Sequence, residues 1–301
     1  MGSSKLVLIA NAGGVGSTVL EQLRSDDVPV RVMVRRDGDR ATELRELGAE
    51  VVVGDLTRPE SVAAALEGVD RMYFAMPVSQ DHLLATTVVA SVAKEHGELD
   101  ALVALSQMTV SQMTVTSTEE SHQQRLHWLA EQVLNWSGLP VVHVRPTSFL
   151  DNPLFTSIAA RSIRENGTIA LPFGSGRTSP VAVYDVARVV STVLAAPAPH
   201  IGNVYELTGP RSVDMTEMAE IFTRALGRPV SYVDVSLEKW RAEGLSKLGL
   251  PAHIEEHVVT MGRLHQENRY DRISGDVERV TGVPAQTIEA YVAARRDFYL
   301  G

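Results

Sequence analysis

Directly after a short apolar run, Leu6-Val7-Leu8-Ile9, the chain reads Ala10-Asn11-Ala12-Gly13-Gly14-Val15-Gly16 and then turns amphipathic. Glycines between a strand and a helix let the backbone close on a pyrophosphate, whose charge rests on the free amides of the helix start. The spacing Ala10, Gly13, Gly16 is that of a G-x-x-G-x-x-G loop with alanine in place of its first glycine, tolerable if φ stays negative there; Asn11, Gly14 and Val15 belong to the same cradle. A second run ends Val32-Met33-Val34-Arg35-Arg36. At that place in a dinucleotide domain an acidic residue accepts from the ribose 2′-hydroxyl and favours NAD(H), whereas arginine pairs with a 2′-phosphate and favours NADP(H). Arg35 and Arg36 therefore point to NADP(H) over NAD(H). Asp37 follows as a conflicting sign, and two solvated arginines at a strand end are the plain alternative. Asp55 and Leu56, in Gly54-Asp55-Leu56, are placed to meet the adenine edge, and Ala75-Met76-Pro77 to line the path toward the nicotinamide. Ser106 and Gln107 close a fifth run, at the carboxyl edge where α/β proteins bind ligands.

His253-Ile-Glu-Glu-His257 spells a different chemistry, H-x-x-E-H, in which two histidines one helical turn apart bind zinc for hydrolysis. His265, eight residues further on, could share that face. The motif is short and no second hydrolytic feature accompanies it, so a solvated helix face is the default and no metal is assigned.

The elements that must position these residues follow from the apolar rhythm. Val30–Val34, Val51–Val53, Met72–Ala75, Leu102–Leu105 and Val141–Val144 are β-branched or apolar runs without alternation. Such runs are strands buried on both faces, and they imply a parallel sheet covered by helices. Amphipathic stretches lie between them, at Val19–Leu23, Ala41–Leu47, Val62–Leu66 and Leu126–Leu134. Repeated βα units of this length predict an α/β fold, a Rossmann-type doubly wound parallel sheet over residues 1–152. From 153 to 301 the rhythm loosens into a smaller mixed α/β region, with strands at Thr168–Leu171, Val204–Leu207 and Val230–Val235 and a helix start at Asp214-Met-Thr-Glu217. Residues 184–208 are expected to pack back on the first region, so the two are interleaved. Ser-Gln-Met-Thr-Val occurs twice in succession over Ser106–Val115, which reads as a loop coincidence.

Composition removes whole classes of function. The 301 residues contain no cysteine, which excludes thiol nucleophiles, disulfides and iron–sulfur ligation and fits a reducing cytoplasm. A net charge of −9 leaves no footprint for nucleic acid or an anionic membrane. No apolar run approaches the roughly eighteen residues of a membrane span, and the opening Met-Gly-Ser-Ser-Lys lacks a signal-peptide core. Lysine occurs only at Lys5, Lys94, Lys239 and Lys247.

In order and spacing, several short motifs resemble the NmrA-like group of atypical short-chain dehydrogenases/reductases. They are the N-terminal loop, Gly54-Asp55-Leu56, His127-x-x-x-Glu131, Ser137-Gly138-Leu139-Pro140, Arg145 through Asn152, Asp185-Val186-Ala187 and Tyr205 through Pro210. The resemblance implies a dinucleotide-binding domain and a C-terminal region covering a substrate cleft. Its members are reductases of quinones, dyes, imines or phenylpropanoid double bonds, or dinucleotide-binding regulators. The Tyr-x-x-x-Lys pair of ordinary short-chain enzymes cannot exist here, because no Tyr lies between Tyr73 and Tyr184 and no Lys between Lys94 and Lys239. Counting back from Ser137-Gly138-Leu139-Pro140, His127 falls where isoflavone-reductase-like relatives keep their catalytic lysine. On a helix His127 and Glu131 share one face. A carboxylate beside an imidazole favours its charged form, so His127 can donate a proton near neutral pH, with a fold-steadying ion pair as the alternative. The resemblance also places Pro146, Thr147 and Phe149 near the nicotinamide. Gln107, Trp128, Asn152, Phe155 and Phe173 are candidate walls of the substrate pocket, although aromatic residues are more often plain core.

The reading is an NADPH-dependent reductase of a small conjugated acceptor. Its alternatives are a non-catalytic dinucleotide sensor working through protein partners and, remotely, a zinc hydrolase at His253 and His257. A homodimer is left open.

Overall fold

The non-alternating apolar runs become strands of one sheet, inner ones except for Val51–Val53, which falls on a partly exposed edge strand. The computed structural model describes residues 5–301; Met1–Ser4, part of the opening read above as lacking a signal-peptide core, lie outside the described residues. Strand β1 (Val7–Ile9) leads through α1 (Val15–Ser25) to β2 (Val30–Val34), then α2 (Asp39–Glu46), β3 (Glu50–Val53), α3 (Pro59–Leu66), β4 (Arg71–Phe74), α4 (His82–His96), β5 (Ala101–Leu105), α5 (His122–Ser137) and β6 (Val141–Pro146). After these come α6 (Ala160–Asn166), β7 (Thr168–Leu171), α7 (Val183–Ala195), β8 (Val204–Leu207), α8 (Met215–Leu226), β9 (Ser231–Asp234), α9 (Leu237–Glu243), α10 (Ala252–Gln266), α11 (Asp276–Thr281), α12 (Ile288–Ala293) and α13 (Arg296–Leu300). The large sheet runs β3-β2-β1-β4-β5-β6-β8. Its pairs from β3 through β6 are parallel, with Val7 opposite both Val30 and Arg71. This is the doubly wound order, whose direction of winding reverses at β1 and β4 and opens a crevice at their carboxyl ends.

The chain divides into two compact units. One comprises the chain up to Val110, Gln123–Arg145 and Val186–Tyr205; the other comprises Ser111–His122, Pro146–Asp185 and Glu206–Gly301. In the first, β1 is wholly buried, and α1 turns Val15, Val19, Leu20 and Leu23 inward at helical spacing. A core of Leu8, Val62, Leu66, Met72, Phe74 and Leu102 lies on one side of the sheet. The second unit has its own core, built from Leu154, Phe155, Ile163, Phe222, Tyr291 and Tyr299, and a two-stranded parallel sheet of β7 and β9. Its α8 begins as the sequence predicts. Asp214 Oδ1 accepts from the amides of Thr216 and Glu217, and Glu217 reaches back to the Asp214 amide. Among the described residues no helix is long and apolar enough to cross a membrane.

Candidate functional site

Helix α1 starts without any side-chain cap and without an acidic residue in its first turn, so its leading amides are left for another acceptor. The loop before it is fixed from within. Asn11 Oδ1 accepts from the Gly13 amide at 3.0 Å, and Gly14 takes φ +50°, a region that favours glycine. A cavity of about 590 Å³ opens beside this loop. Ala10, Asn11 and Gly13 line it from β1, Arg35 and Arg36 from β2, Leu56 from the turn after β3, and Met76 and Pro77 from the turn after β4. Gly14, Val15, Gly16 and Ala75 are not among its lining residues.

The electrostatics of this cavity sharpen the sequence reading at two points. Asp37, the conflicting acid, is ion-paired with Arg45 at 2.8 Å; that hydrogen bond holds its carboxyl below the usual range. It is absent from the lining, whereas Arg40 joins Arg35 and Arg36 there, with Asp39 the acid among them. Arg40 also donates to the carbonyl of Ala12 at 2.9 Å, tying the start of α2 to the glycine loop. Asp55 is committed locally. Its Oδ1 accepts from the Thr57 amide and hydroxyl, bonds that lower its pKa, and Gly54 and Leu56 line the cavity where Asp55 was expected to face the adenine.

A second, much smaller cavity, about 10 Å³, lies in the same unit between β4, β5, β6, α4 and α5. His127, Glu131, Ser106, His82 and His143 all line it. His127 is half-buried, with its ring 4.2 Å from that of His82 at 58°. The expectation for Glu131 needs correction. Both of its oxygens accept from Arg145, at 2.9 and 2.5 Å, so its charge is met by a guanidinium from β6 and does not serve His127 alone. The carboxylate is only 3% exposed. Replacing Arg145 with methionine strands it without a counter-charge, and such a loss costs about 3–5 kcal/mol. Urea unfolding of R145M should show that loss, and joint replacement of Glu131 and Arg145 by apolar residues should recover most of it. His143 is held neutral by burial, while its Nε2 lies 2.8 Å from Asn135 Oδ1. Ser106 Oγ and His143 Nδ1 are buried at this cavity without a protein partner. Gln107 and Trp128, the pocket walls expected in this unit, are both half-buried.

The remaining candidates belong to the second unit. Pro146 ends β6, and Thr147 is buried, its amide bonded to the carbonyl of Leu207 at 2.9 Å and its Oγ1 without a partner. Phe149 bridges to Val181, and Asn152 Oδ1 accepts from the Leu154 amide. Phe155 and Phe173 are 1% and 0% exposed. They are core side chains, because a wall needs a face turned to open space. The zinc spelling also dissolves. His257 Nδ1 is 2.8 Å from Ser121 Oγ, and burial pushes the imidazole down to about 4. His265 is stacked between Phe173 and Tyr270, at 4.0 Å from each, with Nδ1 bonded to the Met261 carbonyl. Among the described residues no group of three or more His, Asp or Glu is set to hold a metal ion.

Residues 3–292 match the NmrA-like family, a span that takes in both units. The chain belongs to the NmrA-like family. It is 28% identical to an NAD(P)H azoreductase of Xenophilus azovorans over 96% of this chain and 97% of that protein. In structure it resembles an NADPH-dependent quinone oxidoreductase of Escherichia coli in complex with NADPH, with a TM-score of 0.83 at 22% identity, covering 96% of this chain and 99% of the other. The triphenylmethane reductase of Citrobacter sp. complexed with NADP(H) gives a TM-score of 0.82 at 20% identity, covering 97% and 99%. These likenesses establish that the member described here has the Rossmann-like fold of its family.

Three features of this NmrA-like chain escape sequence reasoning. Arg40 lies four residues after Arg36, yet an arginine in a helix's first turn looks like surface charge. His82 begins α4 and looks equally superficial, but it is only 2% exposed. Gln123 stands one turn before His127 and is 5% exposed. The stripe Gln123, His127, Glu131 on one face of α5 was the available signal, since three polar residues at that spacing face the same neighbours.

Proposed function

We propose that this NmrA-like protein is an NADPH-dependent reductase of a small conjugated acceptor, of the quinone, imine, enone or azo class. The observation that carries this reading is the 590 Å³ cavity, lined by three arginines and by the glycine loop that leads into the uncapped helix α1. The fit is specific. Backbone amides at the start of α1 can hold the pyrophosphate, and Arg35, Arg36 and Arg40, which line the same cavity, can pair with a 2′-phosphate. When bound, the nicotinamide supplies a hydride. The chain's own part is to bind and orient the two reactants and to supply one proton. His127 protonates or polarises the acceptor atom that gains charge, with Ser106 on the same small cavity. Arg145 holds Glu131 fixed on the helix that carries His127. The protein acts in the cytoplasm on a small molecule, as a homodimer or with a protein partner.

Two expected results follow. Changing Arg35 and Arg36 together to alanine weakens NADPH binding by about 10–100-fold, because charge-assisted bonds to phosphate are lost, and leaves NADH within about twofold. Fluorescence titration of both cofactors measures this, and equal losses for the two would remove the 2′-phosphate assignment. In single-turnover oxidation of NADPH with quinones, imines, enones and azo dyes, His127→Ala slows the reaction by about 10²-fold or more. Binding of NADPH with no oxidation by any acceptor would overturn the reductase in favour of a sensor, and unchanged kinetics in His127→Ala would end the acid role.

A further inference from the structure

Gln123 is a buried glutamine inside a helix, and both ends of its amide are used by other elements. Its Oε1 accepts from the Ser79 amide at 3.0 Å, and its Nε2 lies 3.5 Å from His82 Nδ1. The first contact fixes the second. A backbone N–H can only donate, so the oxygen of Gln123 must face Ser79 and its NH₂ must face His82. An NH₂ can only donate as well, so His82 Nδ1 is the acceptor and the ring proton of the neutral imidazole sits on Nε2. Burial keeps that ring neutral by pushing His82 down to about 4. Phe74 backs it edge-on at 6.3 Å, and its other neighbour is the His127 ring at 4.2 Å. Ser79 lies two residues beyond Pro77, which walls the large cavity together with Met76. A continuous run of contacts therefore links that wall, through Ser79, Gln123 and His82, to His127, all inside the first unit.

We propose that Gln123 and His82 are positioning residues for proton transfer at His127: Gln123 locks His82 in one tautomer and ties the histidine pair to the loop that walls the cofactor cavity. This rests on the reading of His127 as proton donor. The locked ring gives His127 a rigid, uncharged neighbour with a fixed N–H, so its orientation toward the reacting atom does not depend on solvent. The other polar groups on the small cavity cannot take over this task. Glu131 is committed to Arg145, His143 is held neutral by burial with its Nε2 at Asn135, and Ser106 follows β5 rather than lying on the histidine-bearing helices.

The test uses the full chain with ¹⁵N-labelled histidine. Two-bond correlation spectra of the parent should show His82 as the neutral Nε2–H tautomer. Gln123→Glu keeps an acceptor for Ser79 but has no hydrogen to give His82, so the ring proton should move to Nδ1. Gln123→Met removes both ties. With NADPH and acceptor saturating, both variants should reduce the turnover rate by about tenfold, since a slightly misplaced donor loses rate steeply, and both should shift the pH profile of turnover. NADPH affinity should stay within about threefold. A parent spectrum showing Nδ1–H at His82 overturns the proposal whatever the rates. Parental turnover and pH profile in both Gln123 variants, beside a slow His127→Ala, overturn the positioning role and leave the donor role standing. Parental turnover in His127→Ala overturns both.

Discussion

A Gly16→Ala variant binds NADPH up to about a hundredfold more weakly than the parent. A Cβ at this position would stand 3.0 Å from the carbonyl carbon of Asn11 and 1.9 Å from its oxygen, and no side-chain atom tolerates the second distance. The obstacle is backbone, so no rotamer change relieves it, and either α1 or the Asn11 turn must move away. Overpacking of this kind costs about 1–3 kcal/mol, the upper end of which corresponds to about two decades in affinity when it falls on the binding loop. Gly14 provides the internal control. Nothing lies within 4 Å of a Cβ there, so alanine meets only the penalty of its backbone, φ +50° and ψ −113°, about 1–3 kcal/mol. Titration of both variants with NADPH, alongside circular dichroism to confirm the fold, separates the two effects. Parental affinity in a folded Gly16→Ala protein would remove the loop from the pyrophosphate site.

The second large effect is acid sensitivity. Burial pushes His82, His257 and His265 down to about 4 in the folded chain, whereas an unfolded chain titrates its histidines near 6.5. Between those values the unfolded state holds more protons, so stability is fully present above about pH 6.5 and falls as the pH drops toward 4. Each histidine accounts for roughly 3 kcal/mol at most over that window, against a total of about 5–15 kcal/mol for an ordinary domain. Urea midpoints should therefore fall steeply between pH 7 and pH 4.5. Phenylalanine at His265, which is stacked between two aromatic rings, should flatten part of that slope. Identical midpoints at the two pH values would show that these imidazoles charge without unfolding.

Much of the frame was legible because it is local. Buried parallel strands announce themselves as apolar runs without alternation, and β1 through β6 all lie where those runs occur. That the glycine loop and the arginines after β2 would border one cavity was legible for the same reason. Their chemistry depends on residues a few positions apart and on one strand–helix turn. The charge partners were not legible. Glu131 pairs with Arg145 across fourteen residues, while the helical periodicity offered His127, and nothing in the local pattern ranks a neighbour on the next strand above a neighbour on the next turn. His82 escaped because its neighbours in space, Phe74, Gln123 and His127, come from two other elements. Phe155 and Phe173 illustrate the opposite limit, since core and pocket wall share one hydropathy and differ only in what stands opposite.

The division of the chain has a consequence for how such a protein changes over time. Each unit is assembled from alternating segments, so no single cut yields either one, and a fragment ending at residue 152 lacks Val186–Tyr205 from the first. Recombination at one crossover therefore cannot hand the dinucleotide half a new partner half. Diversification has to proceed within the woven chain, by point substitution and by loops that lengthen or shorten.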